Sequence, residues 1–474
     1  MKTSQRPESR PSLHFAAHWA IVCLLAAGWA CLAVAGEEAG AAAKAAKKPL
    51  IWIQIPNWTG DDDNWSGPYD GPATRRMCQK ILKNEADKLG IELSSDAGRV
   101  KEFDGALSVR AQSPKADMPF VDVLFQGHRR FFDQFPPKDF DLTRKRYLLA
   151  STNDPEWLRT GLRLLKAAWQ MKAARVCVVT DEAGAADSTH PQLGTTFHPV
   201  PRARLDDEIR KANEQEATAV AVDFMHQGRM DGTVEGHSGY QKMQGEKWLT
   251  PVDPARSEKA KQDTIAASKF YLGCRNLLAA ENCQALTLTD QAKYGAAPVL
   301  ALSGLADNGV AAAFDRDATL MLLMTGFLLD RPAFVHGPLA KQGEKAFMAT
   351  YFTCPTRLWG YEYEPPASFA IGPGAEGKDF GIQVRWRKGE TITRLQLKDS
   401  KVLMTTGKVV YSDITLKEGH RTAVVIELDD QPGRPDPDAA NCVMVYGNCT
   451  NEMSCLARLT DLEFPAAVGV LVPK

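Results

Sequence analysis

The sequence predicts an α/β protein: two doubly wound parallel-sheet lobes followed by an antiparallel, β-barrel-like C-terminal domain. Three observations predict it. Short apolar runs alternate with helix-period segments through the first three hundred residues after the leader. Two of those runs, Ala285-Leu286-Thr287-Leu288-Thr289-Asp290 and Val310-Ala311-Ala312-Ala313-Phe314-Asp315-Arg316-Asp317, end in acids before a turn or helix, as buried parallel strands do. Near residue 345 the helix-period pattern stops and β-rich stretches take over. Strands alternating with helices imply parallel sheets, and a run of strands alone implies antiparallel pairing.

The chain opens on a targeting pattern. Arg6 and Arg10 precede an apolar stretch from Ala16 to Ala35, and Ala33-Val34-Ala35 is a small-x-small site before Gly36. Residues 1–35 therefore read as a secretory signal peptide and residues 36–49 as a flexible Ala-, Gly- and Lys-rich leader. The expected location is exported, either periplasmic or extracellular. No second apolar stretch is long enough to cross a bilayer, so no stable membrane span is expected once the signal is removed. Loss of Lys2, Arg6, Arg10 and Glu8 takes the net charge from −1 to about −3. A mildly acidic chain with scattered charges lacks the basic footprint of a nucleic-acid binder.

The first lobe is expected over residues 50–174, with strands at Leu50–Ile55, Phe120–Phe125 and Tyr147–Ala150 and a helix at Ala73–Leu89. A second helix, Asp154–Ala174, has Asp154 as its cap and Pro155 in its first turn. The second lobe, residues 175–344, begins with the buried strand Arg175–Thr180. Leu205–Gln215 reads as a helix, Ala217–Phe224 as a strand, Ser257–Ala280 and Ala318–Leu329 as helices, and Ala333–Val335 as a return to the sheet. Residues 226–255, with His226 and His237, read as a long loop that borders a site. In the β-domain, residues 345–474, strands are expected at 379–387, 391–399, 401–410, 421–429 and 441–447, then a helix at Asn451–Leu462.

Of ten cysteines, Cys23 and Cys31 leave with the signal, and the remaining eight permit disulfides outside the cytoplasm. Cys177 and Cys274 read as small buried hydrophobes. The cluster Cys442, Cys449 and Cys455 matches no common zinc spacing and reads as a disulfide or simple burial.

Asp290 and Asp315 carry the chemistry. Ligands of open α/β sheets bind beyond the carboxyl ends of the strands. Two carboxylates delivered there repel unless a cation or a shared proton neutralises them, which points to a divalent-metal or acid–base site. Asp is also a preferred helix N-cap, and the two runs alone leave both readings open.

The order of two α/β lobes and a β-domain resembles the L-fucose and L-arabinose isomerase superfamily, with the detailed match from about residue 265 to 460. The segments carrying it are Asn282–Asp290, Gly309–Asp317, Asp330-Arg331-Pro332-Ala333-Phe334 and Cys354-Pro355-Thr356-Arg357-Leu358-Trp359-Gly360. Thr405, Gly407, Lys408, Val409, Arg421, Thr422 and Val445-Tyr446-Gly447-Asn448 add signature positions in the β-strands. The resemblance implies aldose–ketose interconversion of a small sugar, with manganese as the usual metal, Asp290 and Asp315 as acidic ligands and catalytic groups, and Asp317 close behind them. Such a metal polarises the sugar carbonyl, and a carboxylate moves the proton between carbons.

The chain departs from that family where imidazole ligands are expected. Tyr351 and Asn441-Cys442 stand where relatives often carry His, and Arg316 stands between the paired acids in place of Gly. His336 and His420 lie near these segments as possible substitutes. Two expectations follow: an exported isomerase with a divergent metal site, or a non-catalytic carbohydrate-binding protein using the same cleft. A two-lobed periplasmic binding protein is a third, disfavoured by the β-domain. Trp52, Trp58, Trp65 and Tyr69 could stack on sugar rings, and Asp61-Asp62-Asp63 reads as a solvated acidic turn beside them. A homo-oligomer is compatible with the resemblance.

Overall fold

The computed structural model describes residues 48–55, 71–109, 118–125, 146–152, 154–182, 184–221, 243–244, 247–248, 254–289, 294, 297–361, 367, 369–373, 380–412, 421–430 and 433–464. The first sheet contains β1 (Leu50–Gln54), β2 (Glu92–Ser94), β3 (Gly105–Val109), β4 (Phe120–Phe125) and β5 (Tyr147–Thr152), with α1 (Gly71–Leu89) between β1 and β2. Its order is β2-β1-β3-β4-β5, and every pair is parallel. Alternate side chains go to opposite faces, as the pleat requires. Ile51, Leu107, Val121 and Val123 join a core with Cys78 and Leu82 of α1, while Trp52, Ala106, Phe120 and Tyr147 form a second cluster.

α2 (Glu156–Ala173) follows β5; its N-cap residue is Pro155, not Asp154 as expected, and Asp154, one position outside, accepts from the Glu156 N–H at 2.9 Å. The helix rests directly on the sheet at Gly161, where a Cβ would meet Leu107 Cδ1 at 2.9 Å. Only a residue without a side chain permits that approach.

The second sheet is built from β6 (Arg175–Thr180), β7 (Ser188–Thr189), β8 (Thr196–Pro201), β11 (Ala285–Leu288) and β12 (Ala311–Ala313). Between β8 and β12 lie α3 (Arg202–Lys211), the hairpin β9 (Met243–Gln244) and β10 (Lys247–Trp248), α4 (Pro254–Ala280) and α5 (Ala297–Asp307). α6 (Arg316–Leu329) follows β12. The order is β12-β11-β6-β8-β7, parallel except for β7. Val176 and Val178 face the core shared with α2 and α6, whereas Cys177 and Val179 face α4 and α5. Both faces are covered, so the strands read as apolar throughout.

Two expectations for this lobe are corrected. Residues 214–221 are helical, where a strand was expected over Ala217–Phe224. Asn213 accepts from the Gln215 and Glu216 N–H groups at 2.8 and 3.1 Å, a helix-capping arrangement, and the buried Ala217 and Ala221 are four residues apart. The second correction concerns Ala333–Val335. The strand there, β13 (Phe334–His336), joins the C-terminal sheet by antiparallel pairing with β21 (Cys442–Tyr446). A three-residue apolar run carries no signal that distinguishes the two sheets.

The C-terminal sheet is a curled, half-barrel-like antiparallel sheet. It adds β14 (Ala340–Lys341), β15 (Ala346–Tyr351), β18 (Thr391–Lys398), β19 (Lys401–Ser412) and β20 (Thr422–Leu428), in the order β13-β21-β18-β19-β20-β15-β14. A separate hairpin, β16 (Phe369–Pro373) with β17 (Phe380–Val384), accompanies it. Asp399 and Ser400 link β18 to β19 with φ of 50° and 62°, as a two-residue hairpin turn requires. α7 (Thr450–Leu459) closes the described chain, and its Met453 and Leu456 share one hydrophobic cluster with Leu162 of α2, Leu320 of α6 and Leu395 of β18. The residues from Lys48 onward form one compact unit. No helix among the described residues is long and apolar enough to cross a membrane.

Candidate functional site

Asp315 sits just past the carboxyl end of β12, where the parallel sheet delivers its loops. Its backbone is extended, and its Oδ1 accepts from the Ala318 N–H at 2.9 Å, so it is the N-cap of α6. A carboxylate at this end also meets the positive end of the helix dipole. The cap uses one of several acceptor positions that a carboxylate offers, leaving capacity for another donor.

Two groups approach this acid. Asp317, in the first turn of α6, has its carboxyl pushed above the usual range by burial first, then by the Asp315 and Asp399 charges. Tyr351, at the end of β15, has its hydroxyl pushed above its ordinary value by burial and by the Asp315 carboxylate. Asp317 of the second lobe and Tyr351 of the C-terminal sheet thus both feel the Asp315 charge. Arg316 does not neutralise it. Its guanidinium lies 5.2 Å from the centre of the Phe197 ring, and no ion pair joins it to Asp315 or Asp317 among the described residues.

His336 and Cys442 are brought together, but around a different partner. Arg394 of β18 is fully buried and donates to His336 Nε2 at 3.3 Å, Cys442 Sγ at 3.1 Å, and the carbonyls of Pro435 and Asp436, both at 2.9 Å. His336 Nδ1 is 2.6 Å from the Gly337 carbonyl, so a single neutral tautomer, with the proton on Nδ1, satisfies both ring nitrogens. Burial first, and the adjacent guanidinium second, hold that imidazole down to about 3. Burial pushes the Cys442 thiol up to about 11 despite the opposing Arg394 charge. Asn441 precedes β21 with φ of 58°, a left-handed conformation that Asn tolerates. These three positions build the β-domain core and its entry loop.

Asp290 and His420 lie outside the described residues, as do Trp58, Trp65, Tyr69, Asp61-Asp62-Asp63, His226 and His237. Trp52 is buried in the first sheet. Cys78, Cys177, Cys274, Cys283, Cys354, Cys442, Cys449 and Cys455 are all buried free thiols, so the expected cluster of three resolves as burial without a disulfide.

The donor set tests whether manganese fits. Hard cations want carboxylate or neutral imidazole donors that are free to turn inward. His336 and Cys442 are tied to a buried cation that would repel a second one, which leaves Asp315 without either of them as a fellow ligand. No group of three or more His, Cys, Asp or Glu among the described residues could hold a metal ion. The described residues do not fit a manganese site.

Sequence reasoning missed Arg394 and Asp307. Arg394 occupies the same strand face as Ile392, and a charge on an inward face was the available signal. Asp307 ends α5 and clamps the segment that opens the β-domain, accepting from Thr356 N at 2.7 Å, Thr356 Oγ1 at 2.7 Å and Arg357 N at 2.9 Å. Its partners are about fifty residues away, so nothing local announces it.

Fold and site together define an α/β protein of two parallel sheets with a curled antiparallel C-terminal sheet and an acidic, phenol-bearing edge on the second lobe. No protein-family model matches the chain, and no curated protein is similar enough to be matched to it.

Proposed function

We propose that this chain binds a small polyhydroxylated ligand of the sugar class at the Asp315–Tyr351 edge, and that it does so without metal-dependent turnover. The observation that carries the reading is the commitment of His336 and Cys442 to Arg394, which takes two of the candidate ligands away from the acid they would have to join. The Asp315 carboxylate, with acceptor capacity beyond its cap, and the Tyr351 hydroxyl, which feels that charge, are an acceptor and a donor of the kinds that sugar hydroxyls use. The position, beyond the carboxyl end of a parallel strand, is where such folds place ligands.

The rival reading is an exported isomerase in which Asp290 and other residues outside the described set complete a metal site with Asp315. Purified mature protein, titrated with fucose and arabinose and assayed for bound manganese and aldose–ketose exchange, separates the two. Saturable sugar binding without exchange, weakened about tenfold or more by Asp315→Asn and by Tyr351→Phe, is the expected result. Asp315→Asn keeps the helix cap, because Asn caps as well as Asp. Stoichiometric manganese with turnover abolished by the same substitution would establish the isomerase and sink the binding-only reading.

A further inference from the structure

A cavity of about 460 Å³ lies on the opposite edge of the second lobe from Asp315. Lys166 and Gln170 of α2, the segment Asp307–Ala311 that joins α5 to β12, the carboxyl end of α6 with Asp330, and Tyr361 all contribute to its wall. Its volume suits a small ligand.

The wall carries charged groups of both signs, Lys166 against Asp307 and Asp330. Asp307 is spent on Thr356 and Arg357, so its oxygens are not free. Asp330 is different: it is exposed, it ends α6 in a left-handed conformation with φ of 53°, and it sits at the negative end of the helix dipole. The Tyr361 hydroxyl, near Asp330 and Asp307, is pushed above its ordinary ionisation range by burial and by those two charges. Lys166 supplies the positive side, and no ion pair joins it to Asp307 or Asp330 among the described residues. One turn along from Lys166, the Gln170 Oε1 is buried and without a hydrogen-bond partner, behind the cavity surface.

The remaining wall is apolar, with Leu322, Leu323, Phe327 and Pro332. Tyr361 lies over two glycines. A Cβ at Gly309 would be 3.8 Å from Tyr361 Cζ, and one at Gly326 would be 3.8 Å from its hydroxyl oxygen.

We propose that this cavity binds a small zwitterion of the α-amino-acid class with an apolar side chain. The ammonium group faces Asp330, the carboxylate faces Lys166, and the side chain lies on Phe327 and Leu323. Neither a simple amine nor a simple carboxylate uses both ends, and each leaves one charge on the wall uncompensated. The site is independent of the sugar edge, since it lies at the amino end of β12.

The test is calorimetric titration of the full chain with L-leucine, 3-methylbutylamine and 4-methylpentanoate, which retain the same apolar tail with both charged groups or only one. Leucine is expected to bind saturably, with each analogue about tenfold weaker or worse. Lys166→Met is expected to weaken leucine and leave the amine unchanged; Asp330→Asn, which keeps a left-handed-tolerant residue, is expected to weaken leucine and leave the carboxylate unchanged. No saturable heat with leucine up to about 10 mM, or leucine binding indifferent to both substitutions, would overturn the proposal.

Discussion

His336 shows how one side chain can set the response of the whole fold to acid. Folded, it is held neutral at about 3 by burial and by Arg394, whereas an unfolded imidazole titrates near its ordinary 6.5. A group whose folded value is depressed contributes stability that is complete above 6.5 and is lost as the pH falls from there toward 3. By pH 5 the loss is expected to reach about 2 kcal/mol. Urea midpoints at pH 7 and pH 5 measure it directly. His336→Gln keeps an acceptor for the Arg394 Nε–H and cannot take the proton, so its midpoint is expected to move less between the two pH values than that of the parent. An equal drop in both proteins would assign the acid sensitivity to another group. The same residue also corrects a chemical expectation: an imidazole poised beside a guanidinium is unavailable to a cation, however near it lies in sequence to the acids.

At the scale of elements, the crossing of α3 and α4 depends on Gly273. A Cβ there would fall 2.6 Å from Ile209 Cγ1 and 2.8 Å from the Ile209 backbone nitrogen, and backbone cannot rotate aside as a side chain can. Gly273→Ala is therefore expected to destabilise by about 1–3 kcal/mol through overpacking, against the slight helix-propensity gain that alanine normally brings. A thermal melt that rises on this substitution would mean the two helices have room to separate. Strand and helix identity was largely legible where the pattern was long: Arg175–Thr180, Thr391–Lys398 and Glu156–Ala173 all fall within two residues of their expected limits. It failed for residues 214–221, where alanine and threonine fit either element and the Asn213 cap decided the outcome. It failed again at Phe334–His336, whose sheet is chosen by a partner strand more than one hundred residues later. The site was less legible for the same reason. Asp315 could be read as metal ligand or cap, and the geometry adds that it is a cap; the destination of His336 and Cys442 depended on Arg394, a residue that no local pattern tied to them.

Across the whole molecule, three sheets share one core. The cluster that contains Ile51 and Leu107 of the first sheet and Val176 and Ala285 of the second also contains Leu395, Val443, Val445, Met453, Leu456, Leu459 and Leu462 of the C-terminal part. α2 and α6 are the layer through which they meet, and Arg458 of α7 reaches back to donate to the Tyr147 carbonyl at 2.7 Å across more than three hundred residues of chain. Burying those seven C-terminal side chains contributes roughly 10–20 kcal/mol at about 1.5–3 kcal/mol each. That equals or exceeds the net stability of about 5–15 kcal/mol typical of a folded protein. A fragment ending at residue 345 would lose this cover over α2 and α6 together with the β13 pairing, leaving a large apolar face in water. The fragment of residues 48–345 is therefore expected to lack a cooperative thermal transition and to bind a hydrophobic dye, while the chain of residues 48–474 melts in a single step. A fragment that unfolds cooperatively, with a midpoint close to that of the intact chain, would show that the α/β lobes carry their own stability and that the shared cluster is an interface between independently folding parts.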